Sequence, residues 1–430
     1  MPNYLRLATV AAAGYPVVLP SIKDPRLHLA AVIISLQVLG QVAFDFDLSI
    51  AQILISVGTC ALLELAIVFW QKRIIMWPAS ALLTGNGVAF VLRVPGTEHG
   101  DWWSLHGWWI FAATAAVALL SKYVLRLRRE HIFNPSNIGL VLCFLILGPG
   151  RAEPLNFWWG PMDAWMAVAL AIIVLGGLAI LIRLKLVVIA AGFWVAFAAA
   201  TGVLALSGHA MTARWHLGQI TGFTFWRVLI TSPEILVFLF FMITDPKTSP
   251  KTTRARIVYS VSIALLAAIL IAAARTEYWS KVAVLGALAV VCLARSLYRR
   301  FAPEIRLGRR WIVVAAAGVA LAYTGALYAA GIPARPHGSH YLYQGPLPTI
   351  TILRSKGGLG DIGKKDARRV VRDAMASLSA GDRVRLNHVE IWLVPGTQDM
   401  TPVVRLLPQG AKIKLGLAKN GHFFIPRGGE

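Results

Sequence analysis

Apolar stretches long enough to cross a lipid bilayer follow one another along most of this 430-residue chain, and that succession excludes a water-soluble fold. Hydrophobic residues make up 57% of it and charged ones only 14%, with a mean hydropathy of +0.64. No soluble core needs so many long apolar runs. Eleven spans are predicted, at 27–44, 49–70, 74–93, 107–125, 137–149, 164–182, 186–206, 229–244, 257–274, 281–296 and 311–330. Those at 137–149 and 229–244 are short, which is tolerated only for a segment packed inside protein or lining a cavity.

Within that series, Ser232 to Pro250 (SPEILVFLFFMITDPKTSP) reads as a helix with both ends marked. Ser232 is placed to cap it, Pro233 takes the first helical position and Glu234 lies near the positive end. Asp245-Pro246 stops it. A similar stretch runs from Trp77 to Pro95 (WPASALLTGNGVAFVLRVP), and Ser80 to Pro95 nearly matches Ser232 to Pro246 in length. Two short Gly/Pro-punctuated segments in matching places point to an internally duplicated membrane protein with its site between the halves. In the first of them, Thr84, Gly85, Asn86 and Gly87 weaken a helix and expose backbone. A helix broken around a ligand is the reading preferred for them, and close packing through small residues is the competing one.

The net charge of +22 looks like a nucleic-acid footprint until it is mapped. With the N-terminus placed in the cytoplasm, the inner connections carry Lys23, Arg26, Lys72, Arg73, Lys122, Arg126, Arg128, Arg129, Arg183, Lys185, Lys247, Lys251, Arg254, Arg256, Arg295, Arg299, Arg300, Arg306, Arg309 and Arg310. The outer ones carry Arg93, Arg151, Arg214, Arg227, Arg275 and Lys281. This bias is the positive-inside pattern of a multi-pass bacterial inner-membrane protein, with its N-terminus cytoplasmic and its C-terminus outside. The basic charge therefore reads as topology, with lipid and no nucleic acid as the partner. Cys60, Cys143 and Cys292 all fall inside spans and offer no CxxC or metal spacing.

Several polar residues are candidates for chemistry. Glu64 is an acid inside a span, at a cost of roughly 2.5–3.5 kcal/mol near a helix centre, so it is either functional or paired with Lys72 or Arg73 at the inner end. Asn134-Pro135-Ser136 is a helix start suited to an anion, beside the basic run Arg126, Arg128 and Arg129. Asp245 reads as a site acid or as a partner of Lys247 or Arg254. His99, His106, His209 and His216 share the outer side, where haem or metal ligation competes with ordinary loop roles. Trp102, Trp103, Trp108 and Trp109 read as interfacial anchors.

Ser80–Pro95, the stretch from Lys122 to Phe133-Asn134-Pro135, and Phe241-Met242-Ile243-Thr244-Asp245-Pro246 together resemble motifs of the NqrB/RnfD family. Its members are membrane subunits of the sodium-pumping NADH:quinone oxidoreductase and of the Rnf electron-transport complex. The resemblance covers about residues 25–300 and implies ten helices in two inverted five-helix repeats, similar to urea channels. The fold class implied is an all-α polytopic core with an eleventh helix and a small α+β C-terminal domain. Residues 1–26 would be an interfacial segment, 27–300 the core (repeats 27–150 and 164–300), 311–330 an extra span and 331–430 an extracytoplasmic docking domain. In that tail, strands are expected at 349–354, 388–394 and 402–425 and a helix at 364–378. The family attaches FMN to a threonine after the fifth span, but GPGRAEPLNFWWGPMDAW here has no threonine. Thr221-Gly222-Phe223-Thr224 is a partial echo that makes Thr224 a remote candidate for covalent flavin. The resemblance implies an electron-transport subunit holding FMN, riboflavin or quinone non-covalently through Ser80, Thr84, Asn86, Asn134, Ser136, Ser232, Glu234, Thr244 and Asp245. It would work beside other redox or biosynthetic subunits. The alternatives are a cofactor-free accessory protein, similar to the UnbU-like subgroup that lacks the flavin loop, and a transporter or channel.

Overall fold

A computed structural model describes residues 5–12, 15–21, 23–97, 99–127, 130–155, 163–213 and 216–301, together with short strands between 340 and 424. The predicted span 311–330 and the predicted helix 364–378 lie outside the described residues. The described core is all-α, with small strands at the helix connections.

Its first half runs α1 (Pro25–Ala43), α2 (Ile50–Lys72), α3 (Ala79–Val91), α4 (Trp108–Val124) and α5 (Pro135–Leu147). The second runs α6 (Ala164–Leu184), α7 (Val187–Leu206), α8 (Gly222–Thr231), α9 (Pro233–Val237), α10 (Thr253–Ala273) and α11 (Glu277–Phe301). A π-helical turn, Phe238–Met242, extends α9. Local chemistry fixes the starts. Asp24 caps α1 ahead of Pro25, Ser49 and Gln52 close a capping box on α2, and Asn134 caps α5 ahead of Pro135. Among the described residues, seven stretches are long and apolar enough to cross a membrane, counting α8 through Met242 as one, whereas α3, α4 and α5 are shorter.

One expectation about the paired segments is corrected. The helix does not break at Thr84-Gly85-Asn86-Gly87, because α3 is continuous from Ala79 to Val91. Close packing explains these small residues: Ser56 on α2 donates its hydroxyl to the Gly85 carbonyl at 2.8 Å, and a Cβ at Gly85 would lie 2.6 Å from the Ser56 carbonyl oxygen. The break occurs in the second half, where Ser232 ends α8 in extended conformation and caps α9 through the Ile235 amide. The apolar run near the N-terminus is also strand. β1 (Leu5–Ala12) and β2 (Tyr15–Pro20) form an antiparallel hairpin, and β2 adds in parallel to β3 (Ile75–Met76), with Val17 opposite Ile75.

Within the first half α2 packs on α3 and α4, and α4 on α5. Within the second α7 packs on α8 and α10, and α10 on α11. The halves touch through α1 on α6 and α5 on α11. Short ladders close the ends of the short helices: a buried one pairs β4 (Leu92–Arg93) with β7 (Glu153–Pro154), and a more exposed one pairs β5 (Arg126–Leu127) with β6 (Glu130–His131). A further pair, β8 (Met211–Ala213) and β9 (His216–Ile220), follows α7.

Contacts between connections sort into two ends. At one end Arg183 donates to the Lys23 carbonyl, Arg256 to Lys185 and Arg295 to Thr248, and Arg299 pairs with Glu130 at 2.7 Å. At the other, Ser49 donates to the Ser104 carbonyl and Gln52 to that of His106, each at 2.7 Å. There too the Thr212 amide reaches the Arg275 carbonyl at 2.9 Å. Each of these connections lies at the end that alternating spans require. In the tail, β10 (His340–Tyr343), β11 (Ile350–Arg354) and β12 (Glu390–Leu393) form one sheet, matching the strands expected at 349–354 and 388–394.

The α2–α3 contact yields a direct test. Gly85→Ala forces the two backbones apart and should cost about 1–3 kcal/mol, read as a lower unfolding midpoint in detergent. Gly58→Ala, where a Cβ meets nothing within 4 Å, should leave the midpoint in place.

Candidate functional site

Among the described residues, two ion-pair clusters lie largely inside the protein, one in each half. In the first half, Lys122 on the last turn of α4 donates from Nζ to Glu64 Oε2 at 2.8 Å and to Ser80 Oγ at 3.0 Å. Both charged side chains are about nine-tenths or more buried, at 6% and 7% exposure. Ser80 opens α3, and its carbonyl accepts the Thr84 hydroxyl at 2.9 Å. The partner of Glu64 is thus Lys122 on a neighbouring helix. It is not Lys72 or Arg73, which are exposed at the end of α2. The reason is geometric: Glu64 lies more than two turns before Arg73, while α4 packs directly against α2.

The two motifs from the middle of the chain meet beside this pair. The π turn ends at Met242, leaving its carbonyl without a helical donor, and the Asn134 Nδ2 supplies one at 3.3 Å. Asn134 Oδ1 meanwhile accepts the Asn137 amide at 3.2 Å and the Ser136 hydroxyl at 2.9 Å. Gly87 on α3 leaves room for Ser136, whose Oγ would sit 3.4 Å from a Cβ there. Thr244 donates to the Phe240 carbonyl. Asp245 folds into a turn, with Oδ1 accepting the Lys247 amide at 3.0 Å and its carbonyl accepting the Ser249 amide at 2.9 Å. Burial pushes the Asp245 carboxyl above the ordinary range, against the pull of the Lys247 amide and charge. His131 on β6 lies close by; burial, then the charges of Lys247, Arg126 and Lys122, hold its imidazole down at about 4.

Ser80, Thr84, Asn134, Ser136, Thr244 and Asp245 therefore gather around the basic end of the interface between the halves. Asn86 is buried on the same α3. Ser232 and Glu234 belong elsewhere. Glu234, on the first turn of α9, faces Lys281 at 2.9 Å, and Lys281 also meets Glu277 at 2.5 Å. Thr224 is exposed on the first turn of α8. The outer histidines are engaged separately: His99 lies 3.5 Å from Asp45, His106 contacts the Pro95 carbonyl at 2.9 Å, and the His209 Nδ1 lies 3.0 Å from Arg275. His216 is a strand residue of β9.

Neither Lys122, which opens one of the family-like stretches, nor Lys281 was expected from sequence to hold a buried ion pair. Their signals were present: Lys122 lies within the apolar α4 window, and Glu277-x-x-x-Lys281 has the spacing of an ion pair on one helix face. Arg93 was missed as well. It is buried against the end of α3, where its Nη1 donates to the Leu92 carbonyl at 2.8 Å and its guanidinium lies over the Phe46 ring at 4.9 Å. No protein-family model and no curated protein matches this chain.

Breaking one side of a buried pair leaves the other charge uncompensated. Glu64→Gln and Lys122→Met should each lower stability by about 3–5 kcal/mol, while the double variant should lose less than either single one; equilibrium unfolding of all four proteins checks the cycle. His131 gives a pH signature. Its folded value lies below the unfolded value of about 6.5, so its contribution is complete above that pH and lost as pH falls toward about 4. His131→Gln should therefore flatten the stability profile over that window and leave it alone above pH 7.

Proposed function

We propose that the protein is an integral membrane subunit of an electron-transport-type assembly, built like NqrB and RnfD as two inverted five-span repeats with the basic end facing the cytoplasm. The observation that carries this reading is the meeting of Asn134 with the Met242 carbonyl. It joins the two motifs on which the family resemblance rests, one from each half. The contacts of α1 with α6 and of α5 with α11 support it, because they pair the first and the fifth spans of the two halves.

A flavin or quinone at the candidate residues fits poorly. The hydroxyls of Ser80, Thr84, Ser136 and Thr244 and the amide of Asn134 all bond to protein partners. A ring system there would have to displace those bonds and enter a seam packed by Gly87 and Ser136. In this reading the chain supplies an anchoring scaffold, and redox groups belong to partner subunits. The tail strands at 340–424 fit a docking role on the outer side. The cofactor-free accessory role of UnbU-like proteins is the form of the family closest to this arrangement.

Purification from the native membrane in mild detergent tests the assignment. Redox subunits should copurify, the isolated chain should release no stoichiometric flavin on denaturation, and Asn134→Ala should lower the yield of the complex. Stoichiometric flavin released from the isolated chain would overturn the cofactor-free form. Solute flux through proteoliposomes of the isolated chain would favour a transporter instead.

A further inference from the structure

The second charge cluster lies where the apolar stretch Gly222–Met242 breaks. α8 runs along α7, with the Trp226 Nε1 donating to the Ala198 carbonyl at 2.8 Å and the Trp194 Nε1 to the Ile230 carbonyl at 3.0 Å. Ile230 therefore lies beside the middle of the 20-residue α7. Glu234 follows one turn later, past the break at Ser232-Pro233, so its carboxyl enters the protein deep within the apolar layer. Lys281 Nζ sits 2.9 Å from Glu234 Oε1 and 2.5 Å from Glu277 Oε1, and donates to the Leu155 carbonyl at 2.8 Å. Lys281 thus lies between two carboxylates and a backbone carbonyl.

Two carboxylates facing one ammonium leave a net negative charge, which an apolar layer makes costly. Among the described residues, the nearest cations are engaged elsewhere. Arg275, two residues before Glu277, is directed at His209 Nδ1 at 3.0 Å. Arg93 gives Nη1 to the carbonyls ending α3, and its ladder partner Glu153, two residues before Leu155, is another buried acid. A metal cation would need the position between the carboxylates, which Lys281 fills. A proton needs no such space. Glu277 makes the shorter contact and shares a helix face with Lys281, so it keeps the negative charge. Glu234 Oε1 is held at ion-pair distance without an aligned hydrogen bond.

We propose that Glu234 is a proton-binding site: at neutral pH one carboxyl oxygen carries a proton, while Glu277 and Lys281 form the charged pair beside it. The break at Ser232-Pro233 places this exchangeable proton inside the bilayer, next to a π-helical turn that leads to the basic end. The proposal stands independently of the redox reading, since it needs no partner subunit.

Infrared spectroscopy of the purified full-length protein tests it, read as variant-minus-wild-type differences so that other carboxyls cancel. At neutral pH the wild type should show a protonated-carboxyl band that shifts in D₂O, and Glu234→Gln should remove one carboxyl's worth of it. Glu277→Gln should also abolish it, because the remaining acid then ionises against Lys281. Survival of the band in Glu234→Gln would overturn the proposal, as would a wild-type band that appears only when sodium is replaced by choline. If Glu234→Gln fails to fold, the wild-type spectrum and Glu277→Gln still decide: no exchangeable band at neutral pH, or an unchanged band in Glu277→Gln, refutes it.

Discussion

Inside a bilayer no water is available to complete a hydrogen bond, so each polar group within a span must find its partner in the protein. Much of the irregularity in this fold answers to that requirement. The end of the π turn leaves the Met242 carbonyl open, and Asn134 closes it from the other half. The short α3 ends well before a full crossing, and Arg93 turns back to take up its last carbonyls. Glu64 is carried inside only together with Lys122, from a helix that α2 packs against.

The two halves meet the same requirement differently. In the first, a single acid faces a single base, with Ser80 completing the lysine's contacts, and the helices around it are continuous. In the second, the membrane helix is interrupted, and two acids share one lysine at the gap. The first arrangement is balanced and structural in character. The second carries an excess of acid beside a break, the setting in which polar groups of membrane proteins exchange ions or protons.

Much of this was legible in the residues, because membrane spans and helix caps are local signals. Span positions, the caps at Ser232 and Asn134, and the partition of basic connections follow from hydropathy, Pro and Ser placement and charge. What was misread depended on distant partners. Gly85 looked like a weak point because a glycine has no side chain to report that α2 lies against it. Lys122 looked like a topology marker because nothing near it in sequence announces Glu64. The pairing of β2 with Ile75–Met76 could not be read locally, because that third strand is two helices away. The interruption was expected in the first half and occurs in the second, since Thr-Gly-Asn-Gly and Ser-Pro both weaken helices and only packing decides which one yields.

That hairpin has a bearing on biosynthesis. A parallel strand pair requires a crossover between its members, and here the crossover is α1 followed by α2, both of which traverse the apolar layer. β2 leaves the ribosome before β3 and must wait, paired on one edge with β1 only, until two helices have been inserted and Ile75 emerges. The clasp between Val17 and Ile75 then forms late, from segments made early and separated by a membrane excursion. It works as a latch that closes only on a correctly threaded pair of helices, so an error in inserting α1 or α2 leaves an apolar strand edge open to quality control.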